Sequence, residues 1–299
     1  MISNLVEVYC LASNLTKKID QHIKKSNVGR KGILSRADYI TIAIIKQERC
    51  IRTNRDLYEL IKYCMQRDFP AMPSYQQFCE GLESSFMYLA IIGQVLAQMS
   101  RSQEKDEYIV DASAMPICKT AYVNQSSSGQ GLADYGKTLE GWFFGFKIHL
   151  IINKNMEIVS FKFSPASTSD IAALDEKMVY GLKGFLIGDK GYISSKKTEL
   201  FLRNGLHLIT RPRKNMKKTP VTKKILSLLF KRQRVETVFG QLKDNFMFIS
   251  RKTRSVQSFF THACAALISY MLKKKPALLS IEFDKIEYLP ISWFDYSCV

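Results

Sequence analysis

Three acidic residues, Asp111, Asp189 and Glu236, carry the spacing from which chemistry can be built. Asp111 follows a run of β-formers (EYIVDAS), and Asp189 stands just past a wholly apolar run (GFLIGDKGY) of the kind buried on both faces of a sheet. Glu236 lies in KILSLLFKRQRVETVFGQLKDNF, residues 224–246, which reads as one amphipathic helix. Val235, Val238, Phe239, Leu242 and Phe246 recur there at three- and four-residue steps. At about 100° per residue, Arg232 and Lys243 lie close to Glu236 in angle, so its carboxylate has a cation on either side along the helix. Three carboxylates forced together resist ionising unless a cation shares the site. Oxygen donors without His or Cys select a hard ion, Mg²⁺ or Mn²⁺. Two such ions about 4 Å apart would clamp the attacking and leaving oxygens of a phosphodiester displacement. Taken singly, the aspartates could be turn or helix caps and the glutamate a surface ion pair; only the set points to metal chemistry.

The elements around them give an α/β order. From residue 107 the pattern runs strand, strand, strand, helix, strand, helix, strand, helix. WFFGFKIHLIINKNMEIVSFKF reads as two alternating strands turning at Asn153–Asn155, and DIAALDEKMVYG as a helix capped by Ser167, Thr168 or Ser169. A parallel crossover from the first strand to the fourth would set Asp111 and Asp189 side by side at strand ends, where open α/β sheets place their sites. Lys147 and His149 in GFKIHL alternate onto one strand face, where they either reach the same cleft or serve as ordinary sheet-surface residues. The Ser- and Gly-rich stretch PICKTAYVNQSSSGQGLADYGKTLEG reads as a loop, and RPRKNMKKTPVTKK as a basic loop carrying Arg211, Arg213 and Lys214. A last helix, SVQSFFTHACAALISYMLKKK, closes the domain.

Upstream, residues 1–105 read as a helical N-terminal domain, with helices after Ser35, after Thr53 or Asn54, and from Ser74 through QQFCEGLESSFMYLAIIGQVLAQM. Arg49, Arg52 and Arg55 sit at the junction of two short helices, a helix-turn-helix pattern that would contact DNA ends or support a dimer. The composition shift at SRSQEKDE bounds a catalytic domain at 106–275, and residues 276–299 form an acidic, aromatic tail.

Charge names the partner. The formal net charge is +17, and residues 203–254 hold 15 Lys and Arg against two acids, whereas residues 1–105 hold 15 against 10. Cations concentrated around the Glu236 helix fit a polyanion, since each one set against a phosphate releases condensed counterions. The seven cysteines are scattered without a CxxC pair, which fits reduced thiols in a cytoplasmic protein. No apolar run is long enough to span a bilayer, so no membrane partner is expected.

VDAS at Asp111, GDKGY at Asp189 and R-x-x-x-E-x-x-x-x-x-x-K at Arg232, Glu236 and Lys243 resemble the signature set of the DDE transposases of bacterial insertion sequences, most closely the insertion sequence 982 type. The resemblance covers roughly residues 106–275 and includes GLHLITRPRKN; Leu229 departs from it, since the family usually has Tyr there. It implies a ribonuclease H-like catalytic domain, a mixed sheet flanked by helices, preceded by an all-α N-terminal domain. It further implies cutting at the terminal inverted repeats of a mobile element and joining of the 3′-OH ends to target DNA. Asp111, Asp189 and Glu236 would hold two metal ions. Arg232 and Lys243 would grip terminal double-stranded DNA, Lys190 and Tyr192 would assist, and the enzyme would act as a dimer or higher oligomer in the bacterial cytoplasm, at the nucleoid. The same carboxylates would also serve a ribonuclease H-like nuclease without strand transfer, and the basic surface a non-catalytic DNA-binding relic.

Overall fold

The computed structural model describes residues 5–23, 32–102, 104–118, 120–125, 129–211, 223–249 and 255–280. In chain order the described elements are α1 (Leu5–Asp20), α2 (Arg36–Glu48), α3 (Asn54–Glu59) running into a π-turn (Leu60–Cys64), α4 (Tyr75–Glu83) and α5 (Phe86–Met99). There follow β1 (Asp106–Cys118), β2 (Asp134–Thr138), β3 (Gly141–Asn153), β4 (Ile158–Pro165), α6 (Asp170–Ala173), α7 (Glu176–Val179), β5 (Gly184–Gly188), α8 (Ser195–Arg203) and β6 (Leu206–Thr210). The chain continues through α9 (Lys223–Phe230), α10 (Gln233–Asn245) and α11 (Val256–Lys274). Backbone contacts divide it into two compact units, Met1–Leu96 with Leu242–Val299, and Ala97–Gln241.

In the first unit, every described element is helical. Ser35 and Ser74 each close a reciprocal capping box, the first with Asp38 and the second with Gln77, and Thr53 caps α3 through the Asp56 N–H. The run from Ser74 to Met99 is two helices rather than one. The hydroxyls of Ser84 and Ser85 both donate to the Gly81 carbonyl, at 3.0 and 2.8 Å, and this local bonding competes with helix continuation. Helix α11, capped by Ser255, packs on α2 and α4. Its surface is apolar nearly all round, and most residues from Phe259 to Leu272 are buried. The tail beyond Ser280 lies outside the described residues.

The second unit is built on a mixed sheet in the order β2-β3-β1-β5-β6, with β4 also paired to β3. β1, β3, β2 and β4 meet antiparallel; β1–β5 and β5–β6 are parallel. One face carries Tyr108, Val110, Ile151 and Val159 into a cluster with Leu174, Met178 and Phe201 from the α6–α8 segment. Complete burial of each such side chain contributes about 1.5–3 kcal/mol. β2 lies in the stretch read as a loop: DYGKT is polar and only Gly136 is buried, so it carries no strand pattern, yet it pairs along β3 from Asp134 to Thr138. DIAALDEKMVYG is likewise split, because Asp175 accepts the Met178 N–H at 3.0 Å and starts α7 afresh.

Candidate active site

β1 and β5 run parallel from Asp106 opposite Gly184 to Ile109 opposite Ile187. Two residues further on each chain stand Asp111 and Asp189, abreast where β5 has ended. Asp111 is not at the end of its strand. β1 continues to Cys118 because its other edge pairs with β3, Asp111 lying opposite Leu150.

Residues 224–246 are two helices, not one. Between α9 and α10 the chain tightens into turns in which the N–H groups of Lys231, Arg234 and Val235 each reach back three residues. Long-range pairs hold this turn against β1. Lys231 Nζ lies 2.6 Å from Glu107 Oε2 and Arg232 Nη1 3.1 Å from Asp111 Oδ2. The same guanidinium places Nη2 3.2 Å from Glu236 Oε1, so one arginine ties two of the three predicted carboxylates together.

Burial pushes the Asp111 carboxyl up to about 6; the Ala112 N–H and Arg232 oppose the rise, and Asp189 and Asp170 add to it. A salt-bridged carboxyl that still titrates high is short of positive charge. Asp170 is the residue the sequence reading passed over. Its position after the cap Ser169 reads as ordinary first-turn acid, yet it lies in the field of Asp111, and its Oδ2 is 3.3 Å from where a Cβ on Gly191 would fall.

Other expected site residues lie elsewhere. Lys147 and His149 pair opposite Ala114 and Ala112, so strand alternation turns them to the sheet face away from Asp111. Lys147 Nζ is held by the Thr168 carbonyl at 3.0 Å and Asp170 Oδ1 at 3.2 Å. His149 is buried, its Nε2 2.8 Å from Ser164 Oγ, and burial lowers its pKa to about 4. On that face Tyr108, Val110 and Val159 pack with residues of α6–α8, and Asp170 acts on the His149 ring. Tyr192 belongs to the same apolar cluster, and burial first, then Asp170, Asp111 and Asp189, raise its phenol well above the usual range. Lys190 is exposed beside Asp189. Arg211 is exposed with its guanidinium 5.9 Å from the Phe230 ring centre. Lys243 is exposed two turns beyond Glu236 along α10. Arg213 and Lys214 lie outside the described residues.

The donor set is carboxylate oxygen with a deficit of positive charge, which suits a hard divalent cation. Among the described residues, no three such groups stand close enough to share an ion.

This arrangement, acidic residues abreast at the ends of parallel strands with a helix-borne glutamate tied to one of them, defines a mixed α/β protein with a carboxylate site. Residues 101–256 match a family model described as a transposase DDE domain. That span is just over half of the 299 residues, and the chain belongs to this family, whose members are enzymes of DNA cleavage and transposition. The fold is similar to that of the piggyBac transposase in its synaptic complex with hairpin DNA, with a TM-score of 0.50 and 8% identity, over 91% of this chain and 73% of that one. No curated protein sequence matches the chain. No helix among the described residues is long and apolar enough to cross a membrane.

Proposed function

We propose that this DNA transposase, of the insertion sequence 982 type, cuts at the terminal inverted repeats of an insertion sequence and joins the 3′-OH ends to target DNA. Asp111, Asp189 and Glu236 are its catalytic carboxylates, on a ribonuclease H-like domain spanning 106–275 behind a helical N-terminal domain of 1–105. The observation that carries this reading is the register: Asp111 and Asp189 stand abreast past the last β1–β5 pair, and Arg232 bridges Asp111 to Glu236.

Bound Mg²⁺ or Mn²⁺, two ions per site, would supply Lewis-acid stabilisation of the attacking and leaving oxygens. The residues contribute the rest. Burial and its acidic neighbours hold the Asp111 carboxyl at about 6, above the usual carboxylate value, and arriving positive charge would favour its ionised form. Arg232, a planar donor already spanning two carboxylates, is suited to take a phosphate oxygen of the strand being cut. Lys190, Arg211, Arg213, Lys214 and Lys243 bind flanking phosphates of terminal and target duplex. Paired ends require a homodimer or higher oligomer, working in the bacterial cytoplasm at the nucleoid.

The test supplies a precut end bearing a 3′-OH, a target plasmid and MgCl₂. The wild type is expected to yield joined product. Asp189→Asn should keep its fold by circular dichroism and lose joining by at least about a thousandfold. Nicks without joined product would reassign the chain to a nuclease, and joining retained in Asp189→Asn would remove the carboxylates from the chemistry.

A further inference from the structure

At the foot of β1, away from Asp111, the second unit opens a cleft of about 470 Å³ lined by Lys105, Asp106, Glu107, Lys154, Lys231 and Arg234. Its charges do not cancel. Lys154 pairs with Asp106 at 3.4 Å and Lys231 with Glu107 at 2.6 Å, which consumes both acids. Arg234 reaches only a carbonyl, that of Lys154 at 3.0 Å, and Lys105 is exposed with no ion pair among the described residues. Among the described residues, two positive charges therefore line the hollow without an ion pair, while its two acids are each already paired. An ordinary solvated surface would scatter such cations. Here two loops and a strand start converge them: the β3–β4 turn brings Lys154, the α9–α10 turn brings Lys231 and Arg234, and the entry to β1 brings Lys105.

The cleft is also joined to the candidate carboxylates. Lys231 lines it, and the next residue, Arg232, bridges Asp111 and Glu236. Glu107 and Asp111 share one face of β1, four residues apart, about 13 Å at strand rise. That is roughly four base-pair steps of duplex DNA. We infer that the cleft is a second DNA-backbone site, which takes phosphates of the duplex flanking the scissile bond through Lys105 and Arg234. The inference rests on the transposase reading for the identity of the polyanion, but the cleft's charge and its junction with the Arg232 turn stand independently of it.

The experiment measures binding of a fluorescein-labelled 30-base-pair duplex by anisotropy, without divalent metal so that no cleavage intervenes, from 50 to 200 mM salt. Lys105→Gln/Arg234→Gln is expected to bind more weakly at 50 mM. Its slope of log affinity against log salt should be shallower by about 1.8, so that roughly tenfold less affinity is lost over that range. Lys105→Gln alone, at an exposed side chain with no ion pair to break, should lower the slope by about 0.9 and guards against a folding defect in the double variant. Slopes equal to wild type in both variants would overturn the cleft while leaving the catalytic reading intact. Inorganic tripolyphosphate that displaces the duplex from wild type at micromolar concentration, but not from the double variant, would reassign the cleft to a small phosphate ligand. A wild type that binds no duplex at all would overturn both readings.

Discussion

His262 and Asp111 are both largely withdrawn from water, one in the helical unit and one in the sheet unit, and their surroundings treat them differently. Around His262, Gln47 Nε2 lies 3.0 Å from Nδ1 and the Met247 carbonyl accepts from Nε2, so the neutral ring is bonded on both sides; burial holds its pKa near 4. Around Asp111, one backbone N–H and one guanidinium group are outweighed by burial and two nearby carboxylates. The helices thus bury a polar group in its uncharged, fully bonded form. The sheet retains a carboxyl that its own environment disfavours in the charged form, a cost of the kind that the proposed metal site would carry.

The largest effect expected from this contrast is at His262. His262→Ala opens a cavity and strands the Gln47 amide and the Met247 carbonyl, and should cost about 3–4 kcal/mol in urea unfolding. A loss below about 1 kcal/mol would mean that the buried pair is not structural. Asp111→Asn should do the reverse and stabilise the protein by about 2–3 kcal/mol at pH 7.5, while abolishing DNA joining. The sign follows from the folded pKa near 6, above the ordinary carboxylate value of about 3.9. Stability associated with this group is fully present below about pH 4 and is lost as pH rises through 6. The two proteins should therefore unfold alike at pH 4 and diverge by pH 7.5. MgCl₂ should raise the Tm of the wild type in a concentration-dependent way and leave Asp111→Asn unmoved. A variant no more stable than wild type at pH 7.5 would end the idea that Asp111 is held against its preference.

His149 gives a titration of the opposite sign on the far face of the same sheet. Its folded pKa, near 4, lies below the usual value of about 6.5, so its contribution is present above pH 6.5 and is lost as pH falls toward 4. The advantage of wild type over His149→Gln should shrink by about 2–3 kcal/mol between pH 7.5 and pH 4. A constant gap would place His149 in contact with water after all.

The differences between sequence and structure follow from the range of the interactions. Asp111, Asp189 and their parallel strands were legible because each lies within a few residues of a strong apolar run, and the caps Ser35, Thr53 and Ser74 because capping is local. The break between α9 and α10 was not, because Lys231 and Arg232 find their partners 124 and 121 residues away on β1. Alternation put Lys147 and His149 on a common face without saying which one, and Tyr192 came from the resemblance; the register with β1 and the apolar cluster decide where they lie. Asp170 was hidden by a plausible local role, since a first-turn acid after a serine cap needs no further account. Local pattern thus located the candidate carboxylates, while non-local pairing decided which neighbours face them.

The smallest effect tests whether the helical unit shares in DNA contact. Arg55 lies near the predicted helix-turn-helix junction, but its guanidinium is engaged by Glu59 at 2.8 Å and sits 5.3 Å from the Tyr75 ring centre. An exposed pair at this spacing adds little to folding, so Arg55→Ala should leave the Tm where it is. Because the guanidinium already has an anion and an aromatic face, duplex affinity should also fall by less than about twofold, far short of the change expected from the double variant at the foot of β1. A shallower salt slope in Arg55→Ala would move a phosphate contact onto the helices. The contrast would then be redrawn, with both units meeting DNA and only the sheet unit holding an unsatisfied carboxyl.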